Sequence, residues 1–136
     1  MKCRDLENNI FEWKIKGSLL NQNLARQARS SYHLSARVLL QELFPTMQIY
    51  EEVPVQIIKG KTLFLDFYIP IQRIAMEVNG EQHFKFVEFF HKTRANFLKQ
   101  LHKDQEKKDW CEQNNIQVIN LNYSETIDEW RSKLTS

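Results

Sequence analysis

A mixed α/β domain with the element order α-β-β-β-α-β-α is predicted from three observations. Residues 48–78 hold three short β-rich runs separated by turn signals. Segments with helical spacing of apolar residues stand on either side of those runs. The chain has 136 residues, enough for one core but not for two ordinary domains, and is 42% hydrophobic with three Gly and three Pro, outside the disordered and low-complexity classes.

In chain order, residues 1–17 are polar and mixed, with Phe11, Trp13 and Ile15 alternating as in a short strand or an arm laid on the domain. The main unit is expected over 18–136. Between Ser18 and Phe44, Ser30 or Ser31 can cap a helix that turns Leu34, Val38, Leu39 and Leu43 inward and ends before Pro45. Gln48–Ile58 reads as a strand whose Pro54 assigns it to an edge or a bulge, because proline cannot donate to a ladder. Lys59-Gly60-Lys61 is a hairpin turn, Leu63–Ile69 the second strand and Ile74–Val78 the third, ended by Asn79-Gly80. Short links make these three an antiparallel meander. A long polar helix is expected within Val87–Asn114, with Phe90, Phe97, Leu101 and Trp110 or Cys111 near one face. Ile116–Leu121 alternates as a strand. Thr126-Ile127-Asp128-Glu129 opens a last helix through a capping box, with Ile127, Trp130 and Leu134 inward.

The start of the chain has no apolar leader and no stretch is long enough to span a membrane, so a soluble cytoplasmic protein is expected. Cys3 and Cys111 lie far apart without zinc-ligand spacing and read as ordinary thiols.

The chemistry lies in the meander. Side chains alternate along a strand, so Phe64, Asp66 and Tyr68 are expected on one face, with Leu63, Leu65, Phe67 and Ile69 on the other. On the next strand Ala75, Glu77 and Asn79 share a face, opposite Ile74, Met76 and Val78. Asp66 and Glu77 are carboxylates in otherwise apolar strands, and a tight link can bring them together across the sheet, where two anions repel unless a proton or cation intervenes. A divalent metal resolves this economically, and Mg²⁺ favours carboxylates, waters and phosphate oxygens. The simpler alternative is a solvated sheet face on which both acids pair with Lys or Arg. Asn79-Gly80-Glu81-Gln82-His83 then leaves the strand carrying Glu77 and sets a histidine near its end, able to move protons near neutral pH.

With an Asp in the second strand and a Glu in the third, this order resembles the restriction-endonuclease-like αβββαβ core of the PD-(D/E)xK nuclease superfamily. Leu65-Asp66-Phe67-Tyr68-Ile69-Pro70, then Ala75-Met76-Glu77-Val78-Asn79-Gly80-Glu81-Gln82-His83-Phe84, then Gln100 through Asp104 to Lys107-Lys108 and Trp110-Cys111 look like a phage-associated branch. That branch is similar to the very-short-patch-repair and EDxHD homing endonucleases. The resemblance covers roughly residues 30–123. It implies a metal-dependent endonuclease cutting DNA with Mg²⁺, for which Mn²⁺ would substitute. It also implies Asp66 as the principal metal ligand and Glu77 as the acid of the E-x-K element. Asn79 stands where that element has lysine, a departure from the pattern. His83 is the implied general acid or base, with Gln82 orienting water or phosphate, and Glu52 is a further outer ligand, with Glu51 as the alternative. On the long helix, Lys107 or Lys108 reaches a phosphate or replaces the missing lysine in space. Many relatives carry a Glu near His33, so that acid is absent here. His33, Arg37, Phe84, Lys85 and Lys108 are the expected nucleic-acid contacts. DNA is the implied partner, and a homodimer is left open.

The net charge of +2 conceals a pattern that fits this expectation. Residues 13–41 carry five basic residues and no acid, residues 82–108 carry seven basic against three acidic, and the acidic meander lies between them.

Overall fold

The computed structural model of the chain describes residues 1–20, 30–81 and 84–135. Two short strands, β1 (Lys2–Arg4) and β2 (Ile10–Glu12), form an antiparallel hairpin, and β3 (Ser18–Leu19) begins a five-stranded sheet. Helix α1 (Ser31–Leu43) is followed by β4 (Tyr50–Ile58), β5 (Lys61–Ile69) and β6 (Ile74–Asn79), then α2 (Glu88–His91), α3 (Arg94–Gln113), β7 (Gln117–Asn122) and α4 (Ile127–Thr135). The sheet order is β3-β4-β5-β6-β7, antiparallel from β3 to β6. Strand β7 is parallel to β6, the pairing that needs a crossover, here α3. No helix among the described residues is long and apolar enough to cross a membrane.

One core lies between the sheet and helices α1 and α4, and joins Leu39 and Leu40 to Phe67, Met76, Val78, Leu121 and Trp130. The opposite core joins Val53, Val55, Leu65, Tyr68 and Ala75 to Trp110 and Cys111 of α3, and to Cys3 and Trp13 from the N-terminal segment. Trp13 is buried, packs against Tyr68 and Trp110 at 5.1 Å each, and donates its indole N–H to the Pro54 carbonyl at 3.1 Å. The first 17 residues thus contribute directly to this core. Gly17 (φ +139°) passes so close to β4 that a Cβ would lie 2.7 Å from the Glu51 carbonyl oxygen, which excludes any side chain. Pro54 is tolerated because β3 pairs only with Tyr50 and Glu51, so β4 is an edge at the proline.

Three expectations need correction. Leu34 and Val38 are half exposed, and α1 buries His33, Ala36, Arg37, Leu39 and Leu40 instead, a rotation explained by a buried acid described below. Ile127 is likewise outward, although Trp130 and Leu134 are buried and the Thr126–Glu129 capping box forms reciprocally. The long helix is broken at Lys92 (φ +62°), where Thr93 caps α3 by accepting the Asn96 N–H. The His91 ring accepts the Val87 N–H and packs beside Phe86 and Phe97, which fixes α2 as a separate turn.

Simple alternation also fails within β5. Leu65 and Phe67 are two positions apart yet lie in opposite cores. The partner strand makes the same reversal. Val53, opposite Leu65, joins the α3 side, whereas Glu51, opposite Phe67, faces α1. The turning point is Glu52, at φ +59°, a left-handed conformation that in a strand acts as a local bulge and re-aims its neighbours. Asp66 lies across from it.

Candidate active site

The β5–β6 ladder runs through Ile69↔Ile74, Tyr68↔Ala75 and Phe67↔Met76, and there backbone pairing stops. Side chains make the next rung. Asp66 Oδ2 accepts the Val78 N–H at 2.8 Å, and Glu77 Oε2 accepts the Asp66 N–H at 3.2 Å. Each carboxylate takes an N–H that a backbone carbonyl would otherwise have taken, so the two acids hold each other's strand. Both are only 7% exposed, so the face is not solvated, although Glu77 does pair with a lysine as the simpler alternative supposed.

Such a rung sets two carboxylates together in a low-dielectric wall. Burial first, and the Asp66 charge second, push the Glu77 carboxyl well above the usual carboxylate range. The compensating cation comes from α3. Lys107 Nζ lies 2.9 Å from Glu77 Oε1 as an ion pair, while its directed hydrogen bond goes to the Phe64 carbonyl at 3.2 Å. Burial works against the Lys107 ammonium, but the Glu77 and Asp66 carboxylates outweigh it and hold its pKa above that of an ordinary lysine. Lys107 is therefore fully charged at neutral pH.

Folding consequently raises the affinity of Glu77 for its proton above the ordinary value of 4.5. Below 4.5 that contribution to stability is complete, and it is lost as pH rises through the folded-state value. Glu77→Gln, which cannot titrate, is expected to flatten the decline. Urea midpoints measured from pH 4.5 upward will show this, and an equal slope in wild type and variant would refute it.

Asn79, two residues along β6 from Glu77, donates from Nδ2 to Asn120 Oδ1 (2.9 Å) and Asn122 Oδ1 (3.1 Å) on β7. Glu77, Asn79 and Asn120 border a cavity of about 340 Å³ that Phe84, Asp104, Lys107 and Lys108 also line, whereas Asp66 and Asn122 are not among its lining residues. Cys111 also lines the cavity, and burial pushes that thiol up to about 12, so it stays protonated at neutral pH. Of the two lysines left open by the sequence, Lys107 reaches the acid pair and Lys108 is exposed at the cavity wall.

The other expected residues divide. Gln82 and His83 lie outside the described residues. Phe84 is 51% exposed, with its ring 5.7 Å from Tyr123, which in turn is 6.5 Å from Tyr32. Lys85 is exposed and paired with Glu81 at 2.9 Å. Glu52 is half buried at the strand reversal, and the deeply buried acid of β4 is Glu51.

His33 and Arg37 require the plainest correction, because neither presents its polar group to a nucleic acid. Both are buried on Glu51: His33 Nε2 lies 2.5 Å from Oε2, and Arg37 binds both carboxylate oxygens at 3.1 and 2.9 Å. The His33 ring also stacks on Phe67 at 4.8 Å. A dehydrated pair in which one guanidinium nitrogen meets both carboxylate oxygens locks α1 to β4. Glu51→Gln would leave the Arg37 charge buried without its counter-ion and is expected to cost about 3–5 kcal/mol, read as a lower denaturant midpoint. A loss below 1 kcal/mol would mean that the pair contributes little.

Sequence reasoning missed Asn120, Asn122, Tyr123 and Tyr32. Alternation in Ile119-Asn120-Leu121-Asn122 does set both asparagines on one face. Only the parallel register, with Asn120 beside Glu77 and Asn122 beside Asn79, brings them to the site. Among the described residues no group of three or more His, Cys, Asp or Glu could hold a metal ion.

No family model matches the chain, and no solved structure matches it. It is similar to three viral proteins. It shares 37% identity over 62 residues, 46% of this chain and 32% of the relative, with "Uncharacterized protein 307L" of Invertebrate iridescent virus 6. It shares 31% identity over 67 residues, 49% of this chain and 34% of the relative, with "Uncharacterized protein 033L" of Invertebrate iridescent virus 3. With "Uncharacterized protein 094L" of Frog virus 3 the identity is 35% over 66 residues, 48% of this chain and 43% of the relative. The alignments thus span less than half of each of these relatives.

Proposed function

We propose that the protein is a metal-dependent nuclease of the PD-(D/E)xK type that hydrolyses DNA phosphodiester bonds. The observation that carries this reading is the buried rung of Asp66 and Glu77, with the Lys107 ammonium 2.9 Å from Glu77 at the wall of an open cavity.

The residues fit a hard divalent cation. Two adjacent carboxylates, one of them with its pKa raised first by burial and then by its neighbour's charge, gain most from a dipositive ion. Mg²⁺ typically takes one or two protein carboxylates and completes its shell with water and phosphate oxygens. Asp66 and Glu77 would hold Mg²⁺ or Mn²⁺, and when bound the ion supplies Lewis-acid stabilisation of phosphate charge and a more acidic water.

The chain's own contribution is electrostatic. Because Lys107 keeps its proton at neutral pH, it cannot act as a general base there; it offsets negative charge developing on a phosphate at the cavity wall. Lys108 adds a second positive charge at the same wall. Farther along α3, Lys99, His102 and Lys103 border a second concavity with Lys61, in keeping with a phosphate track on this helix. The proton-transfer role falls to His83 on the resemblance alone.

Asn79 favours a second reading, a nucleic-acid-binding protein of the same architecture without catalysis, because the position expected to hold lysine is occupied by an amide engaged with β7. One assay separates the two. Plasmid, single-stranded, branched and RNA substrates incubated with Mg²⁺ or Mn²⁺ are expected to give cleavage of DNA that EDTA abolishes. Binding without cleavage of any of them would favour the second reading.

A further inference from the structure

We infer that the cavity beside Glu77 accepts an unpaired nucleobase, so that the preferred substrate is DNA in which bases are free of their partners. This rests on the nuclease reading for the substrate being DNA and adds which part of it enters the site.

The lining exceeds what a phosphate requires. A phosphate needs only donors and positive charge, yet Leu65, Leu101 and Val118 line the cavity beside the carboxamides of Asn79, Asn120 and Gln105 and the charged Glu77, Asp104, Lys107 and Lys108. Flat apolar faces with a polar edge describe a nucleobase, and about 340 Å³ falls in the usual range for sites that enclose a small planar group. The amides are also directional. Asn79 donates both N–H bonds to Asn120 and Asn122, which occupies the Asn120 carbonyl. The Asn120 amino group and the Asn79 carbonyl are left as a donor and an acceptor for a base edge.

Aromatic side chains stand at the rim. Phe84 lines the cavity while half exposed, and Tyr123 and Tyr32 continue from it over the surface at 5.7 and 6.5 Å. The rings meet tilted and edge-on, so the half-exposed Phe84 at the rim is the face offered to a base, and stacking of this kind tolerates any sequence. In a duplex, base faces are stacked and Watson–Crick edges are paired, so such a pocket is reached only by a base that has left the stack.

The test uses the wild-type chain in EDTA, where binding is read without cleavage. Fluorescence anisotropy compares a short labelled DNA single strand, the fully paired duplex of the same sequence, and an abasic strand of equal length at one salt concentration. The single strand is expected to bind at least about tenfold tighter than either of the others, and Phe84→Ala to remove about tenfold from the single strand and little from the duplex. Phe84→Leu, which keeps apolar bulk without a ring face, should behave like Phe84→Ala, and Asn120→Ala should change the preference among homopolymers. Equal binding of the normal and abasic strands, or equal loss on single strand and duplex in Phe84→Ala, would overturn the inference. Base-dependent binding with no cleavage of any DNA in Mg²⁺ or Mn²⁺ would take down the nuclease reading and leave the pocket. Cleavage of paired DNA with base-independent binding would do the reverse.

Discussion

Asp66→Asn is expected to lose DNA cleavage in Mg²⁺ by at least about 10²–10³-fold, the loss typical when one charged contact to a reacting centre is removed. The amide is the informative replacement. Asp66 accepts the Val78 N–H inside the sheet, and alanine would orphan that donor at a cost of about 1–3 kcal/mol, which confuses folding with chemistry. Asparagine keeps one acceptor oxygen for the Val78 N–H, removes the charge and turns the other oxygen into an amide donor. Circular dichroism and the denaturant midpoint should therefore stay close to wild type while single-turnover cleavage collapses. Mn²⁺ should not restore it. Wild-type cleavage in Asp66→Asn would end the metal-nuclease proposal.

The second large effect concerns the lysine that arrives from another element. Lys107→Met removes the cation beside Glu77 and leaves two buried carboxylates facing each other. Glu77 then answers by holding its proton to still higher pH, because the attraction that lowered its pKa is gone. That proton limits the damage to folding, so the expected loss of stability is about 1–3 kcal/mol, below the cost of a fully stranded ion. Cleavage should fall by about 10²–10³-fold, since the variant loses charge at the phosphate and its protonated Glu77 binds metal poorly. A double variant gives the sharper result. Asn79 lies on the same face of β6 as Glu77 and lines the same cavity, so Asn79→Lys in the Lys107→Met background should regain at least about tenfold of the lost rate. No recovery in a folded double variant would show that the position on α3, and not the ammonium as such, is required. Undiminished cleavage in Lys107→Met alone would reduce Lys107 to a structural counter-ion.

Much of this arrangement is local and was therefore legible. Alternation in Ile74–Asn79 assigns Glu77 and Asn79 to one face, and the chain folds that way: Met76 and Val78 enter one core, while Glu77 and Asn79 line the cavity on the other side. Caps at Ser30 and at Thr126–Glu129 are short-range hydrogen bonds with their own sequence signature. What escaped depends on partners distant in sequence. Leu34 and Val38 have the spacing of an inward stripe, but Glu51 from β4 draws His33 and Arg37 to the interior and turns the helix about its axis. Glu52 is not a residue that announces a left-handed strand position, so the change of face at Asp66 left no trace in composition. Lys107 and Lys108 are adjacent in sequence, and only the rotation of α3 over the sheet decides which of them meets Glu77.

The acid rung bears on descent. Because Asp66 and Glu77 close the sheet by accepting main-chain N–H groups, a lineage that gave up the chemistry would still be under selection to fold. It could replace these acids only with residues that accept a hydrogen bond from the same place. Decayed copies should therefore carry Asn or Gln at the two positions, seldom Ala or Leu, and the amide would mark a former acid more durably than any surface residue does.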